Sequence, residues 1–244
     1  MRGLRRTPVY DGRAVGRAGT VAALVVLVVL VVVVGGANIV RSAVLPDRYH
    51  LPFNVGLAGA AIGIGVLAGL TVAELGLAGA DVPRGLRYGG VAAGLVTALV
   101  LVAALVPAFS SAFDDDRVEI GVGAMLLKAL VVIPIGTVLV EELIFRGVLL
   151  GLLRRITPTV VAVLMTSILF GLWHVYPAWR GDAENQALVS AGKLSTVVGT
   201  MAATTVAGIV FCWLRIASQS LVAPMLAHCA TNSVPFIAAW VVSR

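Results

Sequence analysis

Charge is scarce in this chain of 244 residues: 12% of it is Asp, Glu, Lys or Arg, against about a quarter of an ordinary soluble domain. So few charges cannot cover a water-facing surface, which excludes a conventional soluble enzyme or binding module. Cysteine is scarcer still, at 2 residues. Cys212 and Cys229 both lie within apolar stretches and read as small core residues, not as a disulfide framework. His-Glu-x-x-His, Gly-x-Ser-x-Gly and Gly-x-Gly-Asp do not occur, which removes the usual metalloprotease, serine-hydrolase and aspartyl signatures. Lys128 and span serines such as Ser167 lack the spacing of a Ser-Lys dyad. No internal repeat, linker or second domain is visible.

What the chain has in abundance is apolar residues, 59% of the total. A membrane-spanning helix takes about 20 of them, so about seven spans would use roughly 140 positions. The reading is an all-α, polytopic transmembrane helix bundle of about seven spans, six at the least and eight at the most. The apolar runs cover 18–40, 55–77, 88–109, 122–153, 159–179, 196–214 and 220–242. The first has the basic flank of a secretory signal, but it is longer than a typical h-region of about 7–15 residues and reads as a retained helix. The fourth is about 48 Å long as a helix, against a hydrocarbon core near 30 Å. It must tilt, protrude or break, and Pro134 marks the expected place. The resulting organisation is a basic tail (1–17), N-terminal transmembrane helices (18–121) and a C-terminal transmembrane core (122–244).

Lys and Arg number 18 against 12 acids, a net charge of +6. In a soluble chain that excess would point to nucleic acid. Here Arg2, Arg5, Arg6, Arg13 and Arg17 flank an apolar run, so they are an orientation signal and no nucleic-acid partner is expected. A cytosolic N-terminus also places Arg84, Arg87, Arg154, Arg155 and Arg215 in the cytosol, with Asp114, Asp115, Asp116 and Glu119 opposite. Abundant Val, Ala, Gly and Arg suggest a high-GC bacterial genome, hence a multi-pass protein of a bacterial plasma membrane.

Against this apolar background six polar residues stand out at depth: Glu141, Glu142, Arg146, His174, His228 and Asn232. A titratable group near mid-bilayer costs about 2.5–3.5 kcal/mol on insertion scales and is rarely idle. Glu74 is expected near a helix end, within reach of the interface. On a helix Glu142 and Arg146 lie four apart and about 40° around the axis, with the acid N-terminal, which suits pairing. Glu141 is turned about 100° from Glu142 and about 140° from Arg146, leaving it without a local partner. His174 shares a helix face with Phe170, and His228 with Asn232. Pro134, Pro177, Pro224 and Pro235 surround these residues, each freeing a backbone carbonyl that a neighbouring helix or polar cavity must satisfy. The bland alternative is a set of interhelical hydrogen bonds around a buried ion pair.

Such groups suit activation of water for attack on an amide. Glu141 could act as general base, His228 and Asn232 as donors to an oxyanion, and His174 as the residue that orients the water. His174, His228 and Glu141 are also the donor set of a two-histidine, one-carboxylate site for a divalent metal such as zinc. A metal-independent glutamate mechanism uses the same side chains.

The order Glu141-Glu142-x-x-x-Arg146, Phe170-x-x-x-His174, His228-x-x-x-Asn232, each in its own apolar helix, resembles the CAAX prenyl protease type II and bacteriocin-processing family of intramembrane proteases, also called the abortive-infection or CPBP family. The resemblance covers roughly residues 122 to 240. It implies an intramembrane endopeptidase, with Glu141 the catalytic base, His174 acting with it on water, and His228 and Asn232 forming the oxyanion site. Glu142, Arg146 and Phe170 would support them. Members are described as metalloproteases, or in the prenyl-processing branch as glutamate proteases without metal. The implied partners are the bilayer and a membrane-associated protein or peptide, such as a bacteriocin leader. The competing readings are a proton-coupled transporter, since carboxylates and histidines at depth also relay protons, and a non-catalytic scaffold or immunity protein. All the deep polar groups lie in one half without an inverted repeat, which argues against transport.

Overall fold

The computed structural model describes residues 17–113, 116–181 and 192–244. Arg2, Arg5, Arg6 and Arg13 of the basic tail, and Asp114 and Asp115, lie outside the described residues. Among those described, every regular element is helical, and seven helices are long and apolar enough to cross a membrane. Lipid offers no hydrogen-bond partner to a backbone, so each span satisfies its own by coiling. The helices are α1 (Arg17–Ala43), α2 (His50–Leu67), α3 (Val82–Ala104), α4 (Val122–Ile156), α5 (Thr159–Trp173), the short α6 (Val175–Arg180), α7 (Lys193–Ser218) and α8 (Val222–Val242). A single span, Thr159–Arg180, is made of α5 and α6 together.

Helix α1 shows how a nearly uniform apolar sequence still chooses a face. Leu27, Leu30 and Val34, at helical spacing, are buried in the main core, while Val21, Val25, Val28 and Val32 are exposed on the opposite, lipid-compatible side. The main core joins α1 and α2 to α4, α5, α7 and α8; a smaller one packs Met125 and Ala129 of α4 against Phe236, Ala238 and Ala239 of α8.

The second apolar run does not span as read. Helix α2 stops at Leu67 and not near Leu77. Gly69 takes φ +81°, and its N–H donates to the Val66 carbonyl at 2.8 Å while that of Leu70 reaches the Gly65 carbonyl at 2.9 Å. This Schellman stop needs a left-handed residue, which glycine supplies without strain. The apolar stretch beyond it folds back into the bundle end, where Leu70 and Leu75 are buried. Glu74 lies in this loop and not at a helix end. Its carboxylate accepts from the Thr71 N–H and hydroxyl and pairs with Arg155 of α4 at 2.7 Å. Arg215 of α7 donates to the Ala73 and Glu74 carbonyls. Arg155 and Arg215, which the charge pattern placed on one side, therefore meet at one end of the bundle.

The fourth run is one continuous helix, so Pro134 does not break it. Instead α4 widens into π-type turns over Lys128–Leu139, narrows at Val140–Glu142, and widens again over Leu143–Leu149. In a π turn the carbonyl that Pro134 leaves free is that of Ala129. Ser233 of α8 donates its hydroxyl to that oxygen at 2.8 Å.

Helices α3 and α8 meet at glycines. A Cβ built on Gly89 would lie 2.8 Å from the Ala223 Cα, whereas one on the neighbouring Gly90 would meet nothing within 4 Å. Small residues let backbones approach, which is how apolar helices associate in lipid. Gly89→Ala is therefore expected to lower the unfolding temperature of the detergent-solubilised protein by several degrees, and Gly90→Ala to leave it unchanged or raise it through helix propensity. Burial acts to raise the Glu74 carboxyl, but hydrogen bonds from Arg155 and Thr71 outweigh it and hold the group below the usual carboxylate range. Its stabilisation is thus present above that range and lost as pH falls through the lowered value. Glu74→Gln should flatten this acid limb in a thermal-unfolding pH series, by no more than about 1 kcal/mol because the pair is part-exposed.

Candidate active site

Near the middle of α4, Glu141, Glu142 and Arg146 point into the bundle. Glu141 is 5% exposed, and Glu142 and Arg146 are 0% exposed. Arg146 Nη1 donates to Glu142 Oε1 at 3.0 Å, the i to i+4 pair that the helical spacing requires. The guanidinium lies 4.0 Å from the Phe170 ring centroid, 5.1 Å from that of Phe211 and 5.9 Å from that of Phe145. Its Nε and Nη2 have no hydrogen-bond partner. These rings stand in for water around the cation, each worth about 0.5–2 kcal/mol.

Helix α8 brings His228 to the same carboxylate. Its Nδ1 is 2.8 Å from Glu142 Oε1. An ionised carboxylate only accepts, so Nδ1 carries a proton, and in the neutral form of the ring Nε2 is the acceptor. The ring stacks on Phe211 at 4.8 Å. Histidine 174 occupies the turn between α5 and α6, with Nδ1 2.8 Å from the Phe170 carbonyl. A carbonyl also only accepts, so this Nδ1 donates, and Nε2 is again the acceptor.

Both free imidazole nitrogens face one oxygen. Glu141 Oε2 lies 3.8 Å from His228 Nε2 and 4.0 Å from His174 Nε2, and it has no hydrogen-bond partner. The other oxygen, Oε1, accepts the indole N–H of Trp173 at 3.0 Å. Three acceptors pointed at one another call for a group that donates to them.

The structure therefore gathers Glu141, Glu142, Arg146, Phe170, His174 and His228. Asn232 makes no hydrogen bond to these side chains. It is half-buried one turn after His228, and its Oδ1 accepts from the Thr231 hydroxyl at 3.4 Å. His228 lies in the cluster, with Nδ1 against Glu142 and Nε2 towards Glu141. Trp173 and Phe211 escaped the sequence reading. Trp173 carried a signal, an indole N–H at depth beside His174; Phe211 carried none. Cys212 and Cys229 are free thiols, as expected.

Among the described residues, no group of three or more His, Cys, Asp and Glu side chains is arranged to hold a metal ion. Glu141, His174 and His228 are of the right donor type. A tetrahedral zinc, with bonds of about 2.0–2.2 Å, would hold its ligands roughly 3.4 Å apart. The 3.8 and 4.0 Å separations are wider than that by a few tenths and are spanned readily by a hydrogen-bonded water.

No curated protein and no solved structure matches this chain. Residues 123–234 match the family model described as "Type II CAAX prenyl endopeptidase Rce1-like". The matched stretch begins at the start of α4, ends within α8 and contains every residue of the site. Over this segment, a little under half of its length, the chain is similar to the Rce1-like type II CAAX prenyl endopeptidases, and its seven long apolar helices are those of an integral membrane protein.

Proposed function

We propose that this protein is an intramembrane endopeptidase that hydrolyses peptide bonds of membrane-associated proteins or peptides with a water activated by Glu141. The observation that carries the reading is the unpartnered Glu141 Oε2 facing His174 Nε2 and His228 Nε2 inside an apolar bundle. A water placed among these three acceptors has too few protons for all of them, so it is held with its oxygen basic and its lone pairs free.

In this scheme Glu141 Oε2 takes a proton from the water as the oxygen bonds to the substrate carbonyl carbon. The carbonyl π electrons pass to its oxygen, giving a tetrahedral oxyanion. Asn232, one turn after His228, supplies its carboxamide N–H to that oxyanion once substrate enters. Glu141 then returns the proton to the nitrogen as the C–N bond breaks, releasing a new carboxylate and a new amine. Glu142, neutralised by Arg146, fixes the tautomer and orientation of His228, the role a buried carboxylate plays beside a histidine. Glu141, His174 and His228 would be the ligands of a divalent ion such as zinc if one is bound, and it would supply Lewis-acid polarisation. No step above depends on it. The catalytic unit is residues 122–244, and the tail at 1–17 faces the cytosol under the positive-inside rule.

The test is turnover of an unfolded or leader-type peptide by protein in nanodiscs. Glu141→Gln is expected to lower kcat by about 10²–10⁴-fold, the usual worth of a general base, with the unfolding temperature held. A folded Glu141→Gln protein with normal turnover overturns the reading. Peptides that accumulate in cells carrying this variant identify the natural substrate. Dialysis against a chelator, with bound metal counted by mass spectrometry, is expected to leave turnover intact. Loss of turnover restored by zinc would assign an ion to the three ligands instead.

A further inference from the structure

Helix α5 ends at Trp173 because of a residue four positions on. Pro177 has no N–H for the Trp173 carbonyl, and its ring crowds that oxygen. The carbonyl is satisfied from α1. Asn38 Nδ2 donates to it at 2.7 Å, and Asn38 and Trp173 are 4% and 7% exposed. An asparagine buried in an apolar helix needs a partner, and here it has one that only the proline makes available.

The same tryptophan holds the reacting carboxylate, with its indole Nε1 3.0 Å from Glu141 Oε1. The indole packs edge-on to Phe145 at 5.9 Å. It also walls an apolar cavity of about 300 Å³ bordered by Leu30, Val34 and Asn38 of α1. In those surroundings Glu141 is the acceptor the indole N–H has, and a hydrogen bond to a charged group in a dry setting is among the stronger ones. Occupying Oε1 leaves Oε2 as the oxygen free to take a proton and turns it towards His174 and His228.

We propose that Asn38 and Trp173 are positioning residues for Glu141. Asn38 sets the backbone at the end of α5, and Trp173 fixes which carboxylate oxygen is the base. The first helix, which lies outside the matched segment 123–234, thereby completes the active site. This rests on the reading of Glu141 as the general base.

Trp173→Phe keeps the ring and deletes the N–H. It is expected to lower kcat about 10- to 100-fold with KM changed by less than about twofold, since the bond acts on the base and not on substrate. Asn38→Leu is expected to lower kcat about 3- to 10-fold in the same pattern. The contact has a readout apart from activity. The chain has 4 tryptophans, and the Trp173 indole N–H resonance is assigned by its loss in Trp173→Phe. That resonance should move upfield in Glu141→Gln, where a neutral amide replaces the carboxylate. It should move in Asn38→Leu as well. Normal kcat in Trp173→Phe, a change in KM alone, or an indole resonance indifferent to Glu141→Gln would overturn the proposal. If Trp173→Phe does not fold, the resonance in Glu141→Gln and Asn38→Leu still decides, because both keep the indole. A fully active Glu141→Gln enzyme would instead defeat the assignment of Glu141 as base, and the indole shift would still show whether the contact exists.

Discussion

One carboxylate oxygen organises the interior of this bundle. Glu142 Oε1 accepts from Arg146 at 3.0 Å and from His228 at 2.8 Å, tying α4 to α8 in a region with no access to water. A buried charge without partners is worth several kcal/mol of destabilisation, so each group in this chain of contacts commits the next. Glu142 requires Arg146, and Arg146 requires the faces of Phe170 and Phe211 in place of solvent. His228 is forced into the tautomer that leaves Nε2 bare. The acceptor aimed at Glu141 thus follows from the need to neutralise its neighbour.

The helices that carry the site are irregular, and each irregularity has a side chain answering it. The π-type turns around Pro134 expose the Ala129 carbonyl, which Ser233 fills. Pro177 exposes the Trp173 carbonyl, which Asn38 fills. In water such carbonyls would be hydrated and uninformative. In hydrocarbon they must be met from another helix, so proline acts as a device for specifying which helices touch and at which residue. The two glutamates lie on Val140–Glu142, between two widened stretches of α4. Wide turns of this kind recur at functional sites because they redirect side chains without ending the helix.

The sequence carried the spans and the local half of the site. Seven helices follow from apolar run lengths, because a bilayer allows few other solutions. The pairing of Glu142 with Arg146, the isolation of Glu141 and the shared face of Phe170 and His174 are consequences of helical geometry over four residues. The end of α2 was not legible, because Gly69 sits among Gly56, Gly59, Gly63 and Gly65 and nothing local says which one adopts positive φ. The apolar residues after it are apolar for burial in the bundle end, which composition cannot tell from burial in lipid. Asn38, Trp173 and Phe211 were missed for a different reason. Their partners are distant in sequence, Asn38 lying 135 residues from the carbonyl it serves, and only packing brings them together.

Adjacent glutamates with opposite environments are the clearest product of that packing. They sit about 100° apart on one helix turn, so they face different neighbours although they share a backbone. Glu142 faces a guanidinium and an imidazole N–H, and its charge is matched on the same oxygen. Glu141 faces one indole N–H and two imidazole lone pairs, so one oxygen is held and the other opposed. A carboxylate treated as Glu142 is can serve structure only, since its charge is already committed. A carboxylate treated as Glu141 is has a vacant basic oxygen in a dry, fixed position, the condition under which removing a proton from water costs least. The difference between the two carboxylates therefore comes from what each oxygen meets.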